Sequence, residues 1–229
     1  MSARNDVCLA RNASKRQGNH CMVEVADLYV RRFKMLGGWL CLDFLNTNAR
    51  YLISGPDERF RSYGFVVSWA WQSGLMTESE AQELVQEATS RQAEADAILE
   101  RTIALRETLY RIFTSLARGR QAEADDLAFF NRTLAEVMTH ARIERTEHGF
   151  AWGWTGADGA LDAFLWPVVR SAADLLVADE LRRLRLCDGD RCGFMFLDKS
   201  KNQNRRWCEP ELCGNRARVR NHYHRSRRR

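Results

Sequence analysis

Four cysteines near the C-terminus stand at metal-site spacing: Cys187 and Cys192, then Cys208 and Cys213. Four residues separate the members of each pair and fifteen separate the pairs. Four thiolates so placed can close a tetrahedron around one zinc ion. With sulfur at every ligand position no place remains for water, so the site is structural rather than catalytic. The segment has little apolar material of its own: Phe194-Met195-Phe196-Leu197 reads as a short strand, and Trp207 re-enters a small core. So small a core cannot hold itself together. A structural zinc supplies roughly 10–16 kcal/mol of apparent binding free energy, which couples directly to folding.

Everything after Cys213 is basic, from Asn215 to Arg229. Glu209-Pro210 suits a helix start, since proline is favoured in the first turn. On that helix Arg216, Val219, Arg220 and Tyr223 recur at intervals of three and four, with Arg218, His222 and Arg225 on an adjacent face. Guanidinium forks hold phosphates or read guanine edges in the major groove. The candidate DNA contacts are Arg205, Arg206, Asn215, Arg216, Arg218, Arg220 and Tyr223. RNA or an acidic protein also suits a cationic helix, and a solvated tail is the bland alternative for residues 225–229.

The net charge of +5 conceals an asymmetry. Residues 182–229 carry 15 Lys+Arg against 5 Asp+Glu, whereas residues 35–181 carry 13 against 22. An acidic body with a basic end turns only that end toward a polyanion. Residues 1–34 are polar, mixed and without periodicity, and read as a flexible leader or frame extension, with Met22 or Met35 as alternative starts. They do not read as a secretory signal. No stretch has the ~18–20 apolar residues that a membrane span needs. The chain is therefore expected to be cytoplasmic, where thiols stay reduced and clustered cysteines bind metal. Cys41 reads as a core residue, and Cys8 and Cys21 as incidental.

The elements that must position this module form a mainly α-helical body over residues 35–180, ahead of a zinc module over 181–229 built from a short β-hairpin and the basic helix. A short helix is expected over Ser62–Gly74. Thr77 and Glu80 form a capping-box signal for a helix to about Ala93. A long helix follows from about Ala95 to Arg118, with Gly119 just past its end, and another from about Ala122 to His140. Alternation across Arg142–Thr146 and Phe150–Trp154, around Glu147-His148-Gly149, reads as a hairpin whose aromatics Phe150, Trp152 and Trp154 pack onto helices. A last body helix spans Gly159–Val177, kinked or divided at Pro167. Leu181, Leu184 and Leu186 would tie body to module.

Asp43, Asn46 and Thr47 fall at helical spacing in an apolar segment, and Arg106 and Asn131 border apolar stripes. Asp43, Asn46, Arg106 and Asn131 are the candidates for a small-molecule effector pocket. The competing reading makes them helix cross-links and salt bridges. Enzyme signatures are missing. Gly193 to Ser200 imitates a phosphate loop, but Asp198 replaces the second glycine and would repel phosphate. No His-Glu-x-x-His helix or Gly-x-Ser-x-Gly elbow occurs. An enzyme with its pocket in the helical body is the weakest of three readings, after a DNA-binding regulator and a zinc-organised RNA- or protein-interaction module.

The stretch Trp207-Cys208-Glu209-Pro210-Glu211-Leu212-Cys213-Gly214-Asn215-Arg216-Ala217-Arg218 resembles the CGNR zinc finger, and Cys187 to Asn204 is similar to its first half. The body, from Trp39-Leu40-Cys41-Leu42-Asp43-Phe44-Leu45-Asn46-Thr47 through Leu165-Trp166-Pro167, resembles the accompanying ABATE domain. The resemblance implies zinc on Cys187, Cys192, Cys208 and Cys213. It also implies a bacterial, stress- or metabolite-linked transcription regulator, with DNA as partner and the body as effector domain. A homodimer through the body is a further expectation.

Overall fold

A computed structural model describes residues 24–29, 32–47, 58–190 and 192–227. Cys8, Cys21, Met22 and the side chains of His222, His224 and Arg225 lie outside the described residues. Within them the chain forms seven α-helices and two antiparallel hairpins. The helices are α1 (Leu40–Leu45), α2 (Tyr63–Gln72), α3 (Glu78–Ser90), α4 (Gln92–Ala117), α5 (Ala124–Met138), α6 (Trp166–Val177) and α7 (Asn215–Ser226). Strands β1 (Ala141–Thr146) and β2 (Gly149–Trp154) make one hairpin. Strands β3 (Leu184–Leu186) and β4 (Met195–Leu197) make the other.

Helix α4 is the axis of the body and packs against α1, α2, α3, α5 and β3. Its stripe of Ile98, Leu99, Leu105, Leu109, Ile112 and Phe113 is buried. Helix α2 is buried from Tyr63 to Ala70, so it is apolar all round rather than striped. Its two buried hydroxyls are satisfied inside: Tyr63 donates to the Leu161 carbonyl at 2.5 Å, and Ser68 Oγ to the Leu28 carbonyl at 2.7 Å. Helix α3 starts with the expected capping box between Thr77 and Glu80. Helix α4 stops before Gly119, whose φ of +67° is the left-handed turn that favours glycine. Pro167 divides the last body segment: a 3-10 turn at Ala163–Leu165 precedes it, and Pro167 sits in the first turn of α6.

Two expectations need correction. Residues 24–29 are not part of a structureless leader. Val25–Tyr29 forms a 3-10 turn that places Leu28, fully buried, in the main core. Asp27 accepts from Ser62, and Tyr29 donates to Glu78 at 2.7 Å. The hairpin aromatics, secondly, are not uniformly packed. Trp154 meets Trp166 at 5.9 Å and Trp152 lies under the Arg170 guanidinium at 4.1 Å, but Phe150 is 79% exposed. The hairpin leaves the body after its first pairs and projects outward.

Candidate functional site

The β3–β4 hairpin joins the cysteine cluster to the body. Leu184, Met195 and Leu197 belong to the main core, whereas Phe194 and Phe196 face the cysteines and Trp207. Asn46, at the end of α1, holds β4 as a neighbouring strand would. Its amide donates to the Met195 carbonyl and accepts from the Met195 N–H, both at 2.8 Å. Leu197 N–H donates to the Gly37 carbonyl at 3.0 Å, and the Tyr110 hydroxyl to the Gly193 carbonyl at 3.0 Å. Cys187 directly follows β3 and Cys192 shortly precedes β4, so the hairpin presents the first pair. The second pair rides on the opening of the basic helix. Cys208 sits just before a π-turn at Pro210–Gly214, and Cys213 lies within it.

All four sulfurs lie within 4.8 Å of one another and all four cysteines are buried. The Cys192–Cys208, Cys192–Cys213 and Cys208–Cys213 sulfur separations are 3.6, 3.7 and 3.8 Å. A tetrahedron with zinc–sulfur bonds of about 2.3 Å has edges of about 3.8 Å, and a disulfide would need about 2.05 Å. The donor set therefore fits zinc and not a disulfide pair. Backbone N–H groups of Gly189 and Cys208 both donate to Cys187 Sγ at 3.3 Å, stabilising negative sulfur. Space at Gly189 is tight: a Cβ there would stand 3.0 Å from Cys213 Sγ and 3.1 Å from Cys192 Cβ.

Crowding shapes the acidities. Hydrogen bonds from the Cys192 and Cys208 thiols hold the Cys187 thiol far below its ordinary range. The same contacts push Cys192 up to about 12 and raise Cys208, and burial raises Cys213. Four thiolates packed this closely would repel one another, so without a cation among them protons remain between the sulfurs. A divalent ion at the centre takes the place of those protons.

The loop between the pairs is built on Asp198, fully enclosed. It accepts from Ser200 N–H at 2.9 Å, Ser200 Oγ at 2.6 Å and Arg205 N–H at 2.9 Å. Its backbone N–H donates to the Arg183 carbonyl. Asp198 thus cross-links the loop between Ser200 and Arg205. Burial opposes its charge, but the bonds from Ser200 and Arg205 outweigh it and hold the carboxyl below its ordinary value.

The candidate basic contacts divide. The Arg205 guanidinium is used inside the module, donating to the Trp207 and Cys208 carbonyls and lying 4.3 Å from the Phe196 ring centroid. Arg206 is exposed and pairs with Asp188 at 2.7 Å. Arg220 pairs with Asp190 at 2.8 Å. Both acids sit between the first two cysteines, so these pairs brace the second half of the module on the first. Sequence reasoning missed them, because only the folded cluster brings the two acids beside the helix. Arg216, Val219, Arg220 and Tyr223 are exposed along one side of α7, with Val219 at 70%. Arg227 lies over the Tyr223 ring at 4.6 Å. Asn215 is the first residue of α7, and Arg218 Nε donates to the Gly214 carbonyl at 3.4 Å.

The four effector candidates do not converge on one cavity. Asn46 is spent on Met195. Asp43 accepts from Gly37 N–H at 2.7 Å, and burial raises its pKa. Arg106 is fully buried, pairs with Glu58, bonds Thr47 at 3.4 Å and lies over Phe60 at 5.0 Å. Asn131 is exposed on α5. A cleft of about 520 Å³ lies elsewhere, lined by Tyr110, Arg111, Thr114, Arg118, Arg120 and Asp126 among others.

Fold and site together define a helical protein carrying a four-cysteine zinc finger. The chain belongs to the ABATE family, described as "putative stress-induced transcription regulator", whose model matches residues 38–179. Residues 183–226 match the CGNR zinc finger, so the four clustered cysteines form the centre for one structural zinc ion. No curated protein matches the chain. Among the described residues no helix is long and apolar enough to cross a membrane.

Proposed function

We propose that this protein is a zinc-dependent DNA-binding transcription regulator in which α7 enters the major groove. The observation that carries the reading is the exposed side of α7, where Arg216 and Arg220 flank Val219 and Tyr223. Such a stripe supplies phosphate contacts, guanine-reading forks and one apolar group suited to a thymine methyl. The acidic body leaves this end as the polyanion-facing surface. Zinc, when bound, neutralises the sulfurs and fixes the two halves of the finger. The chain's own residues do the rest. Asp188 and Asp190 brace Arg206 and Arg220, Arg205 closes the finger over Phe196, and Pro210 and Asn215 launch the helix. Asn215, Arg216, Arg218, Arg220 and Tyr223 are assigned to DNA, with Arg206 beside them. Arg205 is reassigned to positioning. The family descriptions are of a regulator and a finger rather than an enzyme, and in this reading the body acts as the regulatory part.

The test is selection of bound fragments from a genomic library with zinc-loaded protein, followed by anisotropy titration of the enriched site. Recovery of a shared sequence, bound more weakly by Arg216→Ala, is the expected result. Enrichment without any common sequence, or preference for single-stranded RNA, overturns the reading.

A further inference from the structure

Among the described residues the β1–β2 hairpin is a two-stranded sheet, so both of its strands are edges. It also carries three exposed large apolar side chains close together: Ile143 at 57%, Phe150 at 79% and Trp152 at 42%. Edges and apolar faces of this kind are ordinarily blunted or covered. The strand register says which backbone groups are available. Thr146 faces Gly149 across the two-residue turn, and Thr155 N–H donates to the His140 carbonyl at 2.8 Å beyond the other end. In an antiparallel ladder hydrogen-bonded pairs alternate, so Arg142, Glu144 and Thr146 bond to β2. The N–H and C=O groups of Ala141, Ile143 and Arg145 therefore point out from the free edge of β1.

We infer that β1 pairs antiparallel with β1 of a second copy, centred on Ile143, to make a four-stranded sheet across a two-fold axis. That register uses the outward groups. Ile143 meets its symmetry mate as a hydrogen-bonded pair, and Ala141 faces Arg145 of the other copy. It sets Arg142 opposite Glu144 of the other copy, twice by symmetry, in the non-bonded positions where side chains stand closest. Within one copy Arg142 and Glu144 already share a face and pair at 2.5 Å, so the join forms a ring of four alternating charges. On the opposite face Trp152, Ile143 and their mates make one continuous apolar row. The free edge of β2 offers no such complementarity, and its Trp152 and Trp154 are held against Arg170 and Trp166 of the body. One consequence is an assembly with two α7 helices. The pairing itself does not depend on what those helices bind.

Sedimentation across a concentration series tests the inference with Arg142→Glu, Glu144→Arg and their equimolar mixture, all zinc-loaded. Each single variant sets like charges opposite each other twice, so each is expected to dimerise about tenfold or more weakly than the native chain. In the mixture a copy with carboxylates at both positions meets a copy with guanidinium groups at both. Every facing pair is then again of opposite sign, so a heterodimer of native strength returns. Ile143→Pro removes an outward N–H without touching the β1–β2 ladder and should also give monomers. A monomeric native chain, single variants that dimerise as the native chain does, or a mixture that stays monomeric would each overturn the pairing.

Discussion

Asn46→Ala isolates the bond between body and finger. In the native protein the Asn46 amide is 5% exposed and satisfies both backbone groups of Met195, which is itself fully buried. Alanine leaves one N–H and one C=O enclosed without a partner. Each orphaned group costs about 1–3 kcal/mol. Partial water access sets the lower end of the total, so the variant should lose about 2–5 kcal/mol. At about 2–4 °C per kcal/mol for a chain of this size, the midpoint falls by about 4–20 °C. Asn46→Asp should be no better: it keeps an acceptor for the N–H but sets a carboxylate against the Met195 carbonyl. Thermal unfolding followed by circular dichroism, with zinc release recorded on the same samples, is the assay. Because Leu184, Met195 and Leu197 lie in the main core, helix loss and zinc release should move together. An unchanged midpoint refutes the reasoning, as does faster zinc release with the helical transition unmoved.

Three other outcomes follow from the same contacts. Leu28→Ala should cost about 2–5 kcal/mol, since Leu28 is a fully buried core residue, and urea unfolding reads this directly. If about six phosphates are engaged, log affinity for duplex DNA should fall with log salt at a slope near −5; Arg216→Ala should reduce that slope by about 1, measured by anisotropy. Asp198 has a folded-state pKa below its ordinary value, so its contribution is present above the unfolded pKa and lost as pH falls through the folded one. The stability gap between the native chain and Asp198→Asn should therefore be full above about pH 4 and close below it, as acid-range urea titrations of the two will show.

Much of the architecture is written locally. Thr77 and Glu80 mark a helix start because the capping box is a contact three residues long, and Gly119 marks an end because its φ suits glycine. The zinc centre is legible because sulfur has few other uses at that spacing. What depends on distant partners is not. Arg205 and Arg206 are adjacent and alike, yet one is folded onto Phe196 and the other faces out to Asp188. Leu28 lies in a five-residue 3-10 turn, too short to show a period. The break between α3 and α4 falls at Arg91, with no Gly or Pro to announce it, where the expected boundary lay at about Ala93–Ala95. Arg91 is held there by Glu87, Glu94 and the Gly159 carbonyl, and the last of these comes from across the fold. Asn46 reads equally well as pocket or cross-link until β4 is seen beside it.

The central claim is that a metal ion turns the last segment into a rigid frame for α7. Its most direct measurement is duplex affinity for the selected site with zinc-loaded protein, after chelator stripping, and after zinc is restored. The account predicts one zinc per chain, binding lost on stripping and recovered on restoration, and neither zinc nor binding in Cys208→Ser. Stripped protein that holds the same site as tightly as the loaded form would contradict it.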